Sequence, residues 1–485
     1  MGNIFFPVHP VLREISSIFT GKGKQVFLVG GAVRDTLRGI KPQDWDLATD
    51  AYPDEVISIF KETVPRGFVV PTGIKHGTVT VHYRGRQMEV TTFRTESNYS
   101  DGRRPDKVEF GVSIEDDLSR RDFTMNAIAY RLPKGPITDP FGGKADIESE
   151  IIRSVGRAEE RFAEDGLRPL RAVRFASQLG FRLDEMVLAA IPGALQLCSK
   201  VAPERIREEL DKLTASLKPS TGFLLMEKTG LLRLLLPELA DCRGIEQKGF
   251  HRFDVLDHSL LALDYAAKTE TAEPEKPAGK EDAGLDPQEK LIRRLAALYH
   301  DIGKPLVRKQ DESGGWTFYR HEKESSEIAR RIFLRFKYPN NTMDKVCHLI
   351  EEHMFHYEDN WTDAAVRRFI IRAGEKNLAD LYALRRADGY AQAGIEPSPD
   401  SLLPLMEMME RVDKILAEKN ALSLGDLAVN GNDLMEAGIS RGKQMGIILR
   451  ELLETVLDDP KLNTKEKLLD IAKKFVQEKL SKPAS

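Results

Sequence analysis

The sequence predicts an α+β protein, in which a small mixed head is followed by a long helical neck, body and tail. Short β-rich runs alternate with helical runs through the first 150 residues, and after about Glu150 nearly every segment has the apolar spacing of a helix. At 485 residues the chain is also too long for one ordinary core. We therefore expect a head at 1–150, a neck at 151–240, a body at 241–400 and a tail at 401–485.

The composition is that of a globular protein of a reducing compartment. Hydrophobic residues make up 41% and charged residues 31% of the chain, and its 3 cysteines have no paired spacing. No apolar run reaches membrane-spanning length, and the start "MGNIFFPVHPVLREI" has neither a leader pattern nor a myristoylation signal. A cytoplasmic protein without a membrane partner is expected. The net charge of −4 leaves nucleic acid open as a partner, because phosphate contacts need only a local basic stripe.

The head begins with a strand, a glycine turn and a helix. "QVFLVGG" is typical of a buried strand, "AVRDTLRG" of a helix that ends at Gly39, and "DWDLATD" of a second strand. "GTVTVHY" and "QMEVTTF" are joined by "RGR", which predicts a hairpin.

Two aspartates in the second strand predict a metal site. Asp44 and Asp46 are two residues apart, so on a strand both carboxylates point to one face and repel each other unless a cation lies between them. Mg²⁺ takes one or two protein carboxylates and keeps positions for phosphate oxygens. Glu89, on the hairpin strand, would help to orient the metals or an attacking hydroxyl. An isolated Asp-x-Asp pair more often satisfies a turn, so the prediction depends on its order with the glycine turn.

The glycine turn predicts an anion site. Gly30 and Gly31 lie between a strand and a helix, where backbone N–H groups can face a phosphate, and Arg34 is one turn into that helix. The turn would hold a triphosphate, and the aspartates would hold the metals that activate it.

The stretch "EDGLRPLRAVR" predicts a base-reading helix from Glu164 to Arg174. One face would carry the guanidiniums of Arg168, Arg171 and Arg174. Asp165 offers an acceptor beside the Arg168 donor, which matches the amine and ring nitrogen of cytosine or adenine, whereas guanine and uracil present the reverse order. The alternative is a solvated charged surface without a ligand.

Five motifs in one order resemble a known family. "LVGGAVRD", "DWDLAT", "RRDFTMNAIAY", "DPFGG" and "RFAEDGLRPLRAVRFASQLGF" are similar to motifs of the class II tRNA nucleotidyltransferases, or CCA-adding enzymes, and of their bacterial poly(A) polymerase relatives. The resemblance is dense from about Val26 to Leu210. It implies a polymerase-β-like head and RNA-binding helices in the neck.

The resemblance also implies roles for particular residues. Asp44 and Asp46 would be ligands of Mg²⁺, while Gly31, Arg34 and Arg121 would contact the nucleotide. The base-reading motif would select CTP and ATP without a nucleic-acid template. Trp45 departs from the aliphatic residues that are frequent there, and on a strand it would point away from the ligands. The polar stretch "FRTESNYSDGRRPDKVEF" resembles the flexible loop of enzymes that add complete CCA, although an ordinary surface connection would have the same composition.

Histidines and aspartates in the body predict a second metal site. The candidate ligands are His258, His300, Asp301 and Asp388, with His321 and His353 as further candidates. Singly, each histidine would more often be an ordinary core residue. Together they resemble the HD superfamily of metal-dependent phosphohydrolases, which implies a second divalent metal and a hydrolase activity. Residues 268–290, rich in Pro, Glu and Lys, are expected to form a mobile insertion.

The tail resembles the tRNA-binding end of the family. Gly438, Gly442 and Lys443 near a helix start would contact phosphate, although helix capping alone explains the same residues. The expected function is therefore addition or repair of the 3′-terminal CCA of tRNA from CTP and ATP. The rivals are a poly(A) polymerase, an enzyme that adds only CC or A, a hydrolase whose head binds RNA, and an inactive tRNA-binding module.

Overall fold

The computed structural model describes residues 6–64, 68–97, 107–247, 252–269, 286–355, 357–358, 360–418 and 421–480. The chain divides into two compact units. The first consists of Met1–Asp241 with Leu334–Tyr338, and the second of Cys242–Phe333 with Pro339–Ser485. The α+β class is confirmed, since strands are concentrated in the head and the rest is largely helical.

The first unit begins with the mixed head. Its elements are α1 Pro10–Thr20, β1 Val26–Val29, α2 Gly31–Leu37, β2 Trp45–Thr49, α3 Pro53–Thr63, β3 Phe68–Gly73, β4 Thr78–Tyr83, β5 Arg86–Thr92, β6 Arg94–Ser97, β7 Lys107–Phe110, α4 Ile114–Ser119, β8 Ala129–Arg131, β9 Ile137–Thr138, α5 Gly143–Glu148 and β10 Ile151–Ile152.

Most of these strands form one mixed sheet in the order β3-β4-β5-β2-β1-β8-β9. β2 pairs antiparallel with β1 and parallel with β5, so that Asp46 is level with Val29 on one side and Glu89 on the other. The predicted hairpin is confirmed, with Tyr83 opposite Arg86 and a two-residue turn in which Arg84 and Gly85 both have positive φ. The mixed sheet thus carries two of the predicted carboxylates at neighbouring positions.

The remainder of the first unit is helical. It consists of α6 Ala158–Glu164, α7 Arg168–Leu179, β11 Arg182–Leu183, α8 Glu185–Ala190, α9 Leu195–Cys198, α10 Pro203–Thr214, α11 Pro219–Thr229, α12 Leu231–Leu235 and α13 Pro237–Ala240. α7 packs against α10 and α11 and buries Val173 and Ala176.

The continuous helix predicted from Glu164 to Arg174 is wrong, because the chain breaks between α6 and α7. Asp165 has extended backbone angles, and α7 begins at Arg168. Pro169 stands in the first turn of α7, where proline is favoured. A Cβ at Gly166 would lie 2.5 Å from the Leu197 carbonyl oxygen, so the two backbones meet at the break where no side chain fits. Asp165 therefore lies at a helix junction.

The second unit is almost entirely helical. It contains α14 Val255–Thr269, α15 Pro287–Tyr299, α16 Lys304–Val307, β12 Lys309–Gln310, β13 Trp316–Thr317, α17 His321–Arg335, α18 Asn340–Glu352, α19 Asp363–Ala373, α20 Leu378–Ala393, α21 Pro399–Ala417, α22 Gly431–Glu436, α23 Lys443–Asp458 and α24 Lys465–Leu480. Around α22–α24 the buried side chains of Leu434, Leu452 and Leu468 belong to a core of their own.

Two predicted loops are partly regular. The polar stretch from Phe93 to Phe110 begins and ends as the antiparallel strands β6 and β7, while its centre, 98–106, lies outside the described residues. The ends of the predicted insertion at 268–290 belong to α14 and α15, and 270–285 are likewise not described. Among the described residues, no helix is both long and apolar enough to cross a membrane.

Candidate active site

Three carboxylates stand at neighbouring positions of the sheet. Asp46 is on β2, Glu89 is beside it on β5, and Asp44 is exposed directly before β2. Burial first, and then the charges of Asp46 and Asp44, raise the pKa of Glu89. Burial also raises the pKa of Asp46, with Asp44 adding to this effect and Arg121 opposing it. These shifts are those of acidic groups that face one another across a partly enclosed space.

Trp45 points away from this group, as predicted. Its side chain is buried beside His9 on the other side of β2, with ring centroids 4.9 Å apart, and Arg86 lies over its ring. The alternation of β2 therefore separates the carboxylates from the core.

The glycine turn stands directly over the carboxylates. Gly30 has φ +68°, and a Cβ at this position would lie 2.9 Å from Nη1 of Arg121 and 3.7 Å from Oδ2 of Asp46. Both the backbone conformation and the contact require glycine here. Arg34 is buried one turn into α2, where Nη1 donates to Oδ1 of Asn126 at 2.8 Å. The turn thus brings backbone, two guanidiniums and a carboxylate together.

A cleft of about 530 Å³ joins this turn to the helix junction. Of the predicted residues it is lined by Gly30, Gly31, Arg34, Asp46, Glu89, Arg121, Asp165, Arg168 and Arg171. Asp44 and Arg174 do not line it. A cavity of this volume lies in the usual range for sites that hold a small molecule.

Asp165 is held in the cleft by Arg205, a residue of α10. Arg205 donates from Nη2 to Oδ2 at 2.7 Å and from Nη1 to Oδ1 at 3.2 Å, and the Leu167 N–H also donates to Oδ1 at 3.0 Å. These bonds fix the carboxylate while Oδ2 keeps acceptor capacity for a ligand.

The arginines of α7 are bound mainly to protein groups. Arg168 donates to the carbonyl oxygen of Arg120 at 3.0 Å and forms an ion pair with Glu164. Arg171 forms an ion pair with Asp122 at 2.6 Å. Burial alone would raise the pKa of Asp122, but the charges of Arg171 and Arg168 and hydrogen bonds from Arg171 and Asn126 lower it to about 2.

Arg174 does not line the cleft, although it shares the acid Glu209 with Arg171. It is buried, and its Nε donates to Glu209 at 2.8 Å. Of the three guanidiniums predicted on one face of the helix, those of Arg168 and Arg171 therefore line the cleft, and that of Arg174 is buried outside it.

The second unit gathers all the predicted histidines and aspartates of the body in one buried cluster. Its members are His258, His300, Asp301, His321, His353 and Asp388. Nε2 of His258 lies 3.2 Å from Oδ1 of Asp388 and 3.3 Å from Oδ2 of Asp301. The other oxygen of Asp301 is 3.1 Å from Nε2 of His321 and 3.9 Å from Nε2 of His353. Asp301 thus stands between two groups of imidazoles, His258 and His300 at Oδ2 and His321 and His353 at Oδ1.

The orientation of three imidazoles suits a metal ion. Nδ1 of His300, His321 and His353 lies 2.9, 2.9 and 2.6 Å from the carbonyl oxygens of Ala297, Phe318 and Ile350. A proton on Nδ1 leaves the Nε2 lone pair for the centre of the cluster, an arrangement that is common in metal sites. Among the described residues, the sets of three ligand atoms within 4.8 Å of one another are His258-His300-Asp388 and His300-Asp301-His353, and the three head carboxylates do not form such a set.

Comparison with known proteins identifies the family. The sequence is 36% identical over 468 residues to the CCA-adding enzyme of Latilactobacillus sakei subsp. sakei, with 96% of this chain and 96% of that protein covered. The chain belongs to the family of CCA-adding enzymes. The CCA-adding enzyme of Lactobacillus delbrueckii subsp. bulgaricus is 47% identical over 457 residues, with 94% of each chain covered. The predicted family is therefore confirmed.

Structures and domain families agree with this assignment. The crystal structure of the Bacillus stearothermophilus CCA-adding enzyme in complex with CTP is similar with a TM-score of 0.70 and 29% identity, covering 97% of this chain and 99% of that one. The Poly A polymerase head domain family matches residues 26–153, and the tRNA nucleotidyltransferase domain 2 family matches residues 307–472. As a nucleotidyltransferase of this family, the chain uses divalent metal ions.

Several cleft residues of this CCA-adding enzyme were missed in the sequence. Asn126 and Asp122 hold Arg34 and Arg171, and Arg205 holds Asp165. The stretch "PERIREEL" places Arg205 and Glu209 four residues apart on α10, a spacing that puts both on one helix face. That signal could have indicated two charged partners for the α7 region.

Of the two tail glycines, Gly442 lies at a helix start, whereas Gly438 follows the end of α22. Gly438 has φ +92°, and Gly442, with φ +157°, precedes Lys443 at the beginning of α23. This geometry is that of helix capping, and the assignment of a phosphate contact stays a prediction.

Proposed function

We propose that this chain adds or repairs the 3′-terminal CCA of tRNA, using CTP and ATP without a template and releasing pyrophosphate. The observation that carries the proposal is one cleft in which a glycine turn, two carboxylates and a fixed acceptor group converge. Similarity over nearly the whole length to CCA-adding enzymes, one of them solved with CTP, supports the same function.

The carboxylates supply the metal ligands in this proposal. Asp44 and Asp46 would hold Mg²⁺, and their exposure beside the cleft together with the raised pKa of Asp46 fits a site that favours added positive charge. Bound there, the metal ions would lower the pKa of the attacking 3′-hydroxyl and neutralise the leaving pyrophosphate. Glu89 would orient the hydroxyl, because it stands level with Asp46 on the neighbouring strand.

The glycine turn binds the triphosphate. Gly30 and Gly31 line the cleft at the start of α2, where the Gly30 N–H donates to the Ile128 carbonyl oxygen at 3.2 Å, and Arg34 and Arg121 add positive charge. Their side chains are held by Asn126 and Asp117, so little rotamer freedom is lost when the phosphate binds.

Asp165 selects the base. Its carboxylate would accept from the exocyclic amine of cytosine or adenine, and Arg168 would donate to the adjacent ring nitrogen, while Arg171 contributes to the cleft wall. Uracil and guanine would instead place a carbonyl oxygen against the carboxylate.

The remaining regions would bind tRNA. We assign RNA binding to the neck at 151–240 and to the tail at 401–485, with Gly438, Gly442 and Lys443 near tRNA phosphates. The polar stretch between Phe93 and Phe110 favours addition of the terminal A as well as CC.

Single-nucleotide extension tests the proposal. tRNA transcripts that end before CCA, after C and after CC would be incubated separately with each labelled nucleotide. We expect C on the first two and A on the third. Long A tails on every transcript would indicate a poly(A) polymerase, and extension that always stops before A would indicate a CC-adding enzyme.

We propose a divalent metal centre with phosphohydrolase activity as a second function, on the evidence of the buried cluster. His258, His300, Asp301 and Asp388 would hold one ion, with His321 and His353 on the other side of Asp301. Such a cluster of imidazole nitrogens and carboxylates matches the donor set of hydrolytic metal sites. When bound, the metal would supply an activated water for attack on a phosphate ester.

Asp301→Ala tests this second site. Because Asp301 contacts both groups of imidazoles, its loss should remove bound metal, measured by elemental analysis, together with any hydrolysis of phosphomonoesters or 2′,3′-cyclic phosphodiesters. Incorporation of CTP and ATP should remain, since the cleft lies in the other unit. Full metal content in folded Asp301→Ala protein would rule out the cluster as the site.

A further inference from the structure

A cavity in the second unit belongs to neither proposed site. It has a volume of about 420 Å³ and lies between the C-terminal half of α20, the first turns of α21 and the side chains of Phe355 and Tyr357. No member of the histidine–aspartate cluster lines it. Its size is in the range of cavities that hold small organic ligands.

The walls of the cavity combine apolar surface with two charged residues, Arg385 and Glu396, and Glu396 is paired with Lys268 at 2.7 Å. Phe355, Leu402 and Leu405 contribute apolar side chains, and Tyr357 adds a second aromatic group. Arg385 supplies positive charge, and its side chain is 31% exposed, so its guanidinium is accessible to an anion. Apolar walls favour a flat hydrophobic ring, while a guanidinium favours a carboxylate or phosphate.

Both helices keep unfavourable residues at this cavity. Gly389 lies within α20, and Pro404 lies inside α21. Glycine and proline are the two residues that most weaken a helix interior. A Cβ at Gly389 would meet its nearest atom, Cγ of Pro397, only at 3.7 Å, so packing does not require glycine there. The space is left open although an alanine would fit.

We infer that this cavity binds a small aromatic anion of the size of a nucleoside monophosphate, with the ring against Phe355 and Tyr357 and the anionic group at Arg385. Nη1 of Arg385 also donates to Oδ2 of Asp388 at 2.9 Å, and Oδ1 of Asp388 is 3.2 Å from Nε2 of His258. The anionic end of the ligand would therefore lie toward the histidine–aspartate cluster. The inference depends on the cavity and not on bound metal.

Fluorine NMR of the full chain labelled with 5-fluorotryptophan separates this cavity from the cleft. The chain has 3 tryptophans. Trp361 packs on Tyr357 with ring centroids 5.9 Å apart, whereas Trp45 lies on β2 next to the cleft residue Asp46. AMP is the probe, and EDTA or Mg²⁺ is present in parallel titrations. We expect AMP to shift the Trp361 signal saturably in both buffers, whatever it does to the Trp45 signal.

Gly389→Leu should weaken that response at least tenfold, because the added side chain fills the cavity while helix propensity favours leucine. The matched control is Gly446→Leu, also within a helix and with no atom within 4 Å of its Cβ position. It should respond like the parent protein. Arg385→Gln should weaken the response to AMP but not to adenosine.

Three results would overturn the inference. They are no saturable Trp361 shift with AMP, an unchanged response in Gly389→Leu, and an equal shift with inorganic phosphate alone, which would remove the role of the ring. If the cluster holds no metal or has no hydrolase activity, AMP should still shift the Trp361 signal in EDTA. Failure of the metal proposal is therefore distinguishable from failure of this inference.

Discussion

Exchange of Asp165 for asparagine tests the base-selecting step most sharply. The substitution keeps the shape of the side chain, and the remaining carbonyl oxygen can still accept from the Leu167 N–H at 3.0 Å. In the parent protein Oδ2 lies 2.7 Å from Nη2 of Arg205. In the variant an NH₂ group takes the place of this oxygen. A donor would thus face the amine of cytosine or adenine, where the parent protein has an acceptor.

The expected loss follows from the charged hydrogen bond. Such a bond contributes about 1.5–3 kcal/mol, so kcat/KM for CTP and ATP should fall together by roughly 10- to 100-fold. UTP and GTP should gain relative to them. The Asp165 and Arg205 side chains are 18% and 26% exposed, and solvent screening leaves such a pair about 1 kcal/mol or less of the folding free energy. The melting temperature should therefore change little.

The assay measures kcat/KM for all four nucleotides on tRNA lacking CCA and on tRNA lacking only A. Asp184→Asn is the matched control, because Asp184 also accepts from a backbone N–H, that of Met186, and pairs with an arginine, Arg153, but does not line the cleft. The control should keep its preference for C and A. An unchanged preference in Asp165→Asn would refute the assignment of this carboxylate as the selecting acceptor.

The remaining predictions concern the metal ligands, the turn and a buried acid. Asp44→Ala should lower nucleotide addition by about a thousand-fold or more, since metal activation is worth several kcal/mol, without loss of melting temperature, whereas exposed Asp54→Ala on α3 should retain activity. Gly30→Ala should cost about 1–2 kcal/mol of stability and raise KM for CTP, because the added methyl group would displace Arg121. The control is Gly39→Ala. Gly39 has φ +76° but no atom within 4 Å of its Cβ position, so the substitution should cost similar stability and leave KM unchanged. Burial raises the pKa of Asp211 to about 6, so its ionisation opposes folding. The stability contributed by its neutral form is complete below about pH 4 and lost as pH rises through about 6. The free energy of unfolding of Asp211→Asn relative to the parent should therefore increase across that interval by on the order of 1–3 kcal/mol, measured by denaturant unfolding at each pH. A stability difference between Asp211→Asn and the parent that does not change with pH would contradict the raised pKa of Asp211.

The head could be predicted because its signals are local. The alternation of β2 depends only on its own residues, so Asp46 and buried Trp45 are on opposite faces as expected. Gly30 indicates the turn because few other residues adopt its positive φ. The pairing of Asp46 with Glu89 needs only the hairpin and one parallel contact.

The helix break and the arginine partners were not predicted. Pro169, in the first turn of α7, was a local signal of a helix start, whereas the close approach of the distant Leu197 backbone to Gly166 is a contact that no local rule contains. Likewise, a row of arginines on a helix does not reveal which acids will meet it: Arg174 pairs with Glu209, 35 residues away, and leaves the cleft. Charge spacing predicts a basic face but not its partners.

The histidine cluster lies between these cases. Its residue types and order indicated a common site, and the structure brings all of them together. The three backbone contacts that orient the imidazoles depend on helix ends and turns, since His300 and His353 follow the last residues of α15 and α18. The sequence pattern alone contains no information on which nitrogen faces the cluster.

The most direct test of the central claim is the 3′-end sequence of tRNA extended with all four nucleotides at equal concentration. A transcript that ends before CCA would be incubated with the pure protein and Mg²⁺, and individual product ends would be sequenced. We predict products that end in CCA and are not extended further, with U and G rare at every added position. Products that contain all four bases, homopolymeric A tails or no extension by folded protein would contradict this prediction.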